Sequence, residues 1–244
     1  MKLNVAAACH EALEIWKRDR DVIAAVAGVF FFLPNLALAL FSRMDVALAQ
    51  AGAPDDQAVL AEIQSRLIEN APLLAFKVIA DLIGIAVLLA LLLDPARPTV
   101  GEALRIVLRR LPVLVAATTL VYIAMAGGIL LFILPGLYVI GRTMLVQPVL
   151  LGEPERRFGD AISRALDLTR GLVLQLLSIW ALINFGAFFL QNLLQSIAVA
   201  ASAGGRNPVT AAIVAVAVSA ISMAAATAFT LVQATIYRRL ASKG

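Results

Sequence analysis

The sequence predicts an all-α fold: a polytopic membrane helix bundle of six transmembrane helices, read as three parallel repeats of an amphipathic helix followed by a transmembrane hairpin. Three observations lead there. Of the 244 residues, 61% are apolar and 15% charged, where soluble domains hold about 45–50% and about 25%, and the mean hydropathy is +0.92. Six stretches qualify as spans against the ~20 mostly apolar residues that a crossing helix needs. The basic residues gather on alternate connections between them. A soluble domain of this size has no core for so much apolar surface, and a disordered chain does not carry it.

The first span covers Val22–Phe41. The segment before it carries Glu11, Glu14, Asp19 and Asp21, unlike the basic front of a secretory signal, so it reads as an uncleaved helix. Pro34 is expected to bend this span and free backbone acceptors beside Asn35. Residues 42–71 form an extracytoplasmic insertion. Within it Asp55 and Asp56 mark a helix start, and Val59, Leu60, Ile63 and Leu67 fall on one face. Its acids, Asp45, Asp55, Asp56, Glu62 and Glu69, match no calcium-loop spacing.

Span two is Pro72–Leu93, span three Pro112–Leu134, and span four Gly136–Leu151, which is short and carries Pro148. Leu134, Pro135 and Gly136 read as a tight turn between spans three and four, since proline followed by glycine is turn chemistry. Span five, Leu172–Ala201, is long enough to tilt, and span six is Val209–Ile236.

Fifteen of the 20 basic residues lie on the side of the termini. They are Lys2, Lys17, Arg18 and Arg20 before span one, then Arg97, Arg105, Arg109 and Arg110, then Arg156, Arg157, Arg164 and Arg170, and finally Arg238, Arg239 and Lys243. The other side holds Arg43, Arg66 and Arg206. This bias places both termini in the cytoplasm. It also accounts for the net charge of +4 and the pI near 9.6 without a nucleic-acid partner. The expected partners of these connections are membrane lipids, through their anionic headgroups at the cytoplasmic face.

Three cytoplasmic segments place apolar or small residues at i, i+3, i+4 and i+7, one face of an amphipathic helix. They are Cys9, Ala12, Leu13 and Trp16; Val100, Ala103, Leu104 and Val107; and Phe158, Ala161, Ile162 and Ala165. Glu11, Glu102 or Asp160 precedes the shared alanine. Two spans follow each segment, which divides a single membrane domain into repeats at 1–93, with the insertion at 42–71, then 94–151 and 152–244.

Charges inside spans are rare and are the first candidates for function. Lys77 and Asp81 lie one turn apart on span two, and Arg142 lies on span four. At ~1.5 Å per residue they sit ~8, ~14 and ~9 Å from the outer ends of their spans. Asn35 and Asn192, with Gln191 and Gln195, fall in the outer halves of spans one and five, and Asn184 lies deeper. Together these make a candidate polar cluster opening outward, in which Asp81 bonded to Lys77 and Arg142 leaves one positive charge for an anion. The plainer reading is a structural ion pair with interhelical amide bonds. On span six, Ala220, Ala224 and Ala228, and likewise Ala211, Ala215 and Ser219, recur every four residues, a spacing for close helix packing.

Catalytic chemistry finds little to use. Cys9 is the only cysteine and His10 the only histidine, which excludes a thiolate metal cluster and any histidine pair. There is no histidine–glutamate metal motif, phosphate-binding glycine loop or nucleophile elbow. No cofactor and no metal is expected.

The stretch from Leu134 to Gly171 carries a Leu-Pro-Gly turn at Leu134, Pro135 and Gly136, an arginine in the next helix at Arg142, and a proline, Pro148, near that helix's cytoplasmic end. An amphipathic helix then ends in Leu-Thr-x-Gly at Leu168, Thr169 and Gly171. In these features it resembles a bacterial six-helix inner-membrane family that includes the membrane domain attached to some glycerophosphoryl diester phosphodiesterases. The resemblance implies a multi-pass protein of the bacterial cytoplasmic membrane. It does not imply phosphodiesterase activity, because the attached catalytic barrel uses histidines and metal-binding acids that this chain does not have. The expectation is a non-catalytic accessory or scaffold in envelope or lipid homeostasis. The alternative is a small transporter or lipid-handling channel with an outward-facing polar cavity.

Overall fold

A computed structural model of the chain describes residues 5–42, 56–201 and 208–242. In order these form α1 (Val5–Ala27), a widened turn at Gly28–Phe32, α2 (Leu33–Phe41), α3 (Asp56–Glu69), α4 (Ala71–Leu93) and α5 (Val100–Leu131). Then come α6 (Ile133–Thr143), α7 (Val146–Gly152), α8 (Phe158–Leu168), α9 (Val173–Ala201) and α10 (Pro208–Ala241). Among the described residues six units are long and apolar enough to cross a membrane: Val5–Phe41, Ala71–Leu93, Val100–Leu131, Leu134–Gly152, Val173–Ala200 and Val209–Ala241. Their outer faces carry large apolar side chains such as Leu130, at 91% exposure, and Leu131, Leu182, Phe188 and Phe189. In water such a surface would aggregate; in a bilayer it is the lipid-facing surface. The fold is a polytopic membrane helix bundle.

Span one is continuous with its amphipathic start but twice irregular. Asp19 leaves helical geometry (φ −116°, ψ 23°), which kinks α1 between the amphipathic part and the apolar part. Over Gly28–Phe32 the turn widens, with the Leu33 N–H donating to the Gly28 carbonyl. Pro34 explains the widening: it has no N–H, and its ring crowds the turn before it. Asn35 Nδ2 donates to the Phe31 carbonyl four residues back at 2.8 Å, whereas the carbonyl four residues before Pro34 is that of Phe30.

The third and fourth spans depart from the prediction. α5 starts at a capping box between Thr99 and Glu102 and runs through Pro112 unbroken. Its 32 residues make a helix of about 48 Å. The hairpin turn falls at Phe132 (φ −170°, ψ 151°) and not at Leu134–Gly136. Pro135 sits in the first turn of α6, where the backbone N–H has no helical partner to lose. Gly136 serves packing instead. A Cβ on Gly128 would lie 2.8 Å from the Gly136 Cα, and one on Gly136 would lie 2.9 Å from the Ile129 nitrogen, so the two helices cross this closely only with glycine on both. Span four itself breaks between α6 and α7 at Leu145 (φ −97°, ψ 6°).

Burial concentrates at the end of the bundle where the termini lie. Ala8 and Ile15 of α1, Val87 and Leu88 of α4, Leu145 and Val149 around α7, and Ile236 of α10 share one core. α10 is the central helix: residues 230–237 are buried on every side, and the helix packs against α1, α2, α4, α7 and α9. Of its two small-residue stripes, Ala215 and Ser219 are buried while Ala211, Ala224 and Ala228 are exposed. The predicted packing surface is therefore only partly used within the chain.

The three amphipathic segments each bury the shared alanine, Ala12, Ala103 and Ala161, yet they are not built alike. The first two run on into spans as α1 and α5, whereas the third is a separate helix, α8, followed by Gly171 in the left-handed region (φ 78°). In α1 the buried face is Ala8, Ala12 and Ile15, while Cys9 and Leu13 are exposed. The face is rotated from the predicted one because α10 selects it: the Thr235 hydroxyl lies 3.3 Å from the Ala8 carbonyl. In the insertion, α3 begins at Asp56, as the helix-start signal predicts, and Leu67 is exposed. Lys2, Arg43, Asp45, Asp55, Arg206 and Lys243 lie outside the described residues, as do the side chains of Asp56, Val59, Leu60, Glu62 and Ile63.

Candidate functional site

The outward polar cluster predicted from Lys77, Asp81, Arg142, Asn35 and Asn192 does not assemble. Lys77 Nζ donates to Asp81 Oδ2 at 2.5 Å, the contact that one helical turn allows. Arg142 is elsewhere. Its Nη1 donates to the Leu166 carbonyl at 2.6 Å and to Thr169 Oγ1 at 3.4 Å, and the guanidinium lies 5.9 Å from the Tyr138 ring centroid. The reason is the C-terminus of α8, whose carbonyls lack helical donors and carry the negative end of the helix dipole. Asn35, Asn184 and Asn192 each donate to a carbonyl of their own helix at 2.8 Å. Gln191 does cross between spans, to Ser222 Oγ at 3.0 Å, and Gln195 is exposed.

Several residues of the Leu134–Gly171 motif converge instead, and the contacts join helix to helix. The Thr169 hydroxyl is buried and lies 3.0 to 3.1 Å from the carbonyls of Ala165, Leu166 and Arg142. Gly171 then reverses the chain into α9. Pro148, in the first turn of α7, cannot donate to Met144, the carbonyl four residues before it. That carbonyl accepts Gln233 Nε2 of α10 at 2.8 Å. Gln233 is 5% exposed.

A third polar group closes the same end. Glu153 accepts from the Tyr237 hydroxyl at 3.1 Å and from Arg156, and Arg164 Nε lies 3.8 Å away. Arg110 donates to the carbonyls of Leu150 and Pro154, both at 3.0 Å. Arg239 donates to Glu11 at 2.8 Å and to the Ala7 carbonyl at 3.0 Å. Sequence reasoning missed Gln233, Glu153 and Tyr237. Gln233 had a signal, as the one side-chain amide in span six, and Pro148 implied an acceptor in need of it.

These contacts define the class: a multi-pass membrane helix bundle tied together by hydrogen bonds from span side chains to the backbone of neighbouring elements. Among the described residues no three of His, Cys, Asp and Glu come together as a metal-holding group. Comparison with protein-family models, curated proteins and solved structures found no match for the chain.

Proposed function

We propose that the chain is a non-catalytic protein of the bacterial cytoplasmic membrane, with both termini in the cytoplasm, acting as an accessory or scaffold in envelope or lipid homeostasis. We group it with the six-helix family that residues 134–171 resemble. The observation that carries this reading is the engagement of Arg142 by Leu166 and Thr169. A transport site keeps an in-membrane charge facing its cargo, and here the arginine of span four is bonded to the protein's own backbone. The pairing of Lys77 with Asp81 supports the same reading. The distribution of basic residues supports the orientation, and the shared burial of Ala12, Ala103 and Ala161 supports descent from three copies of one unit.

The test is reconstitution in liposomes of phosphatidylethanolamine and phosphatidylglycerol. Scrambling of a labelled phospholipid and flux of a small anion are expected to stay at the level of protein-free vesicles. Movement of either above that level, lost in both Asp81→Asn and Arg142→Ala, would replace the scaffold by a transporter.

A further inference from the structure

We propose that the cleft between α1, the turn after α4 and the end of α10 binds one anionic phospholipid of the leaflet facing the termini. The proposal rests on the reading above in taking that leaflet as the cytoplasmic one. The cleft measures about 510 Å³. Its rim is charged: Arg18 and Asp19 come from the kink of α1, Arg97 from the turn between α4 and α5, and Arg238 from the last turns of α10. Its wall is apolar, made of Val22 and Ile23 from α1 and Leu88, Leu91 and Leu92 from α4. Val22 is 44% exposed, so the wall continues onto the lipid-facing surface. A phospholipid has the same division, with an acyl chain below and a phosphate at the level where spans end.

The rim keeps positive charge available. Arg18 is paired with Asp19 at 2.8 Å. The Asp94 carboxylate accepts the Ala96 N–H at 2.9 Å and keeps its negative charge, so the three arginines against two aspartates of the lining leave a net charge of +1. Arg97 and Arg238 are exposed, and among the described residues their guanidinium groups meet no acceptor. Two forked donors from separate segments suit a phosphate, whose oxygens accept bidentate pairs. The backbone agrees. Arg97 has φ 48°, alone among the described non-glycine residues in the left-handed region, and Pro98 restricts it further. Glycine adopts that conformation freely, so an arginine there holds strain at a place where its side chain lines the cleft.

The experiment is native mass spectrometry of the full chain from detergent, titrated with phosphatidylglycerol or phosphatidylethanolamine. One phosphatidylglycerol is expected to bind in preference. Arg97→Gln/Arg238→Gln should weaken it at least about tenfold, as loss of charged hydrogen bonds implies. Arg109→Gln, an exposed arginine at the same end on α5, should leave it unchanged. Arg97→Gly should melt at or above the parent while still losing the lipid, which separates binding from folding. Inorganic phosphate should not displace the lipid if the apolar wall contributes. Parental affinity in the double variant, equal loss in Arg109→Gln, or displacement by inorganic phosphate would each overturn the proposal. Flux in liposomes is a separate readout, so either reading can fail while the other stands.

Discussion

Arg142 and Thr169, 27 residues apart, meet twice: Arg142 Nη1 donates to the Thr169 hydroxyl oxygen at 3.4 Å, and that hydroxyl lies 3.1 Å from the Arg142 carbonyl. The pair joins the broken fourth span to the C-terminus of α8. An arginine read from sequence as facing outward is thus the cap of a helix at the termini end.

Removing that cap should be expensive. Arg142→Ala removes the charged donor of the Leu166 carbonyl, which keeps only a share of the Thr169 hydroxyl, and is expected to cost about 1.5–3 kcal/mol. Arg142→Lys should recover only part, because a compact ammonium on a shorter stem does not combine the two Nη1 bonds with the guanidinium's place over the Tyr138 ring. Thermal unfolding in detergent measures both, and an unchanged midpoint for Arg142→Ala would contradict the assignment.

The crossing of α5 and α6 gives a matched trio. Gly128→Ala and Gly136→Ala push a Cβ into backbone of the facing helix and should each destabilise by about 1–3 kcal/mol. Gly127→Ala meets nothing within 4 Å and should stabilise by about 0.5–1 kcal/mol through helix propensity. Chemical unfolding of the three variants side by side decides the point.

Pro148 and Gln233 should be energetically coupled. Gln233→Leu strands the Met144 carbonyl and is expected to cost about 1–3 kcal/mol. Adding Pro148→Ala restores a backbone N–H to that carbonyl, so the double variant should be more stable than Gln233→Leu alone. A double-mutant cycle showing simple additivity would remove the coupling.

The spans were legible because hydropathy over about 20 residues is a strong signal. The Lys77–Asp81 pair was legible because a helix brings residues one turn apart together. Arg142 was misplaced for a definite reason: its main partner is the carbonyl of Leu166, and a backbone group has no mark in the sequence. The buried face of α1 was off by a residue because an alanine-rich helix presents a weak stripe, leaving the choice to Thr235 and its neighbours on α10. The Leu-Pro-Gly element marked the right hairpin, but the reversal itself falls at Phe132, and Gly136 acts through close packing against Gly128.

The central claim, six crossings with the arginine-rich connections in the cytoplasm, is tested most directly by cysteine accessibility. Cys9 is the only cysteine and is exposed, so the natural chain reports on the amino-terminal side. Cys9→Ser/Ser65→Cys reports on α3, and Cys9→Ser/Ser242→Cys on the far end of α10. A membrane-impermeant maleimide applied to intact spheroplasts should label only the Ser65 variant, and permeabilised spheroplasts should label all three. Labelling of Cys9 or of the Ser242 variant in intact spheroplasts, or protection of the Ser65 variant there, would contradict the account.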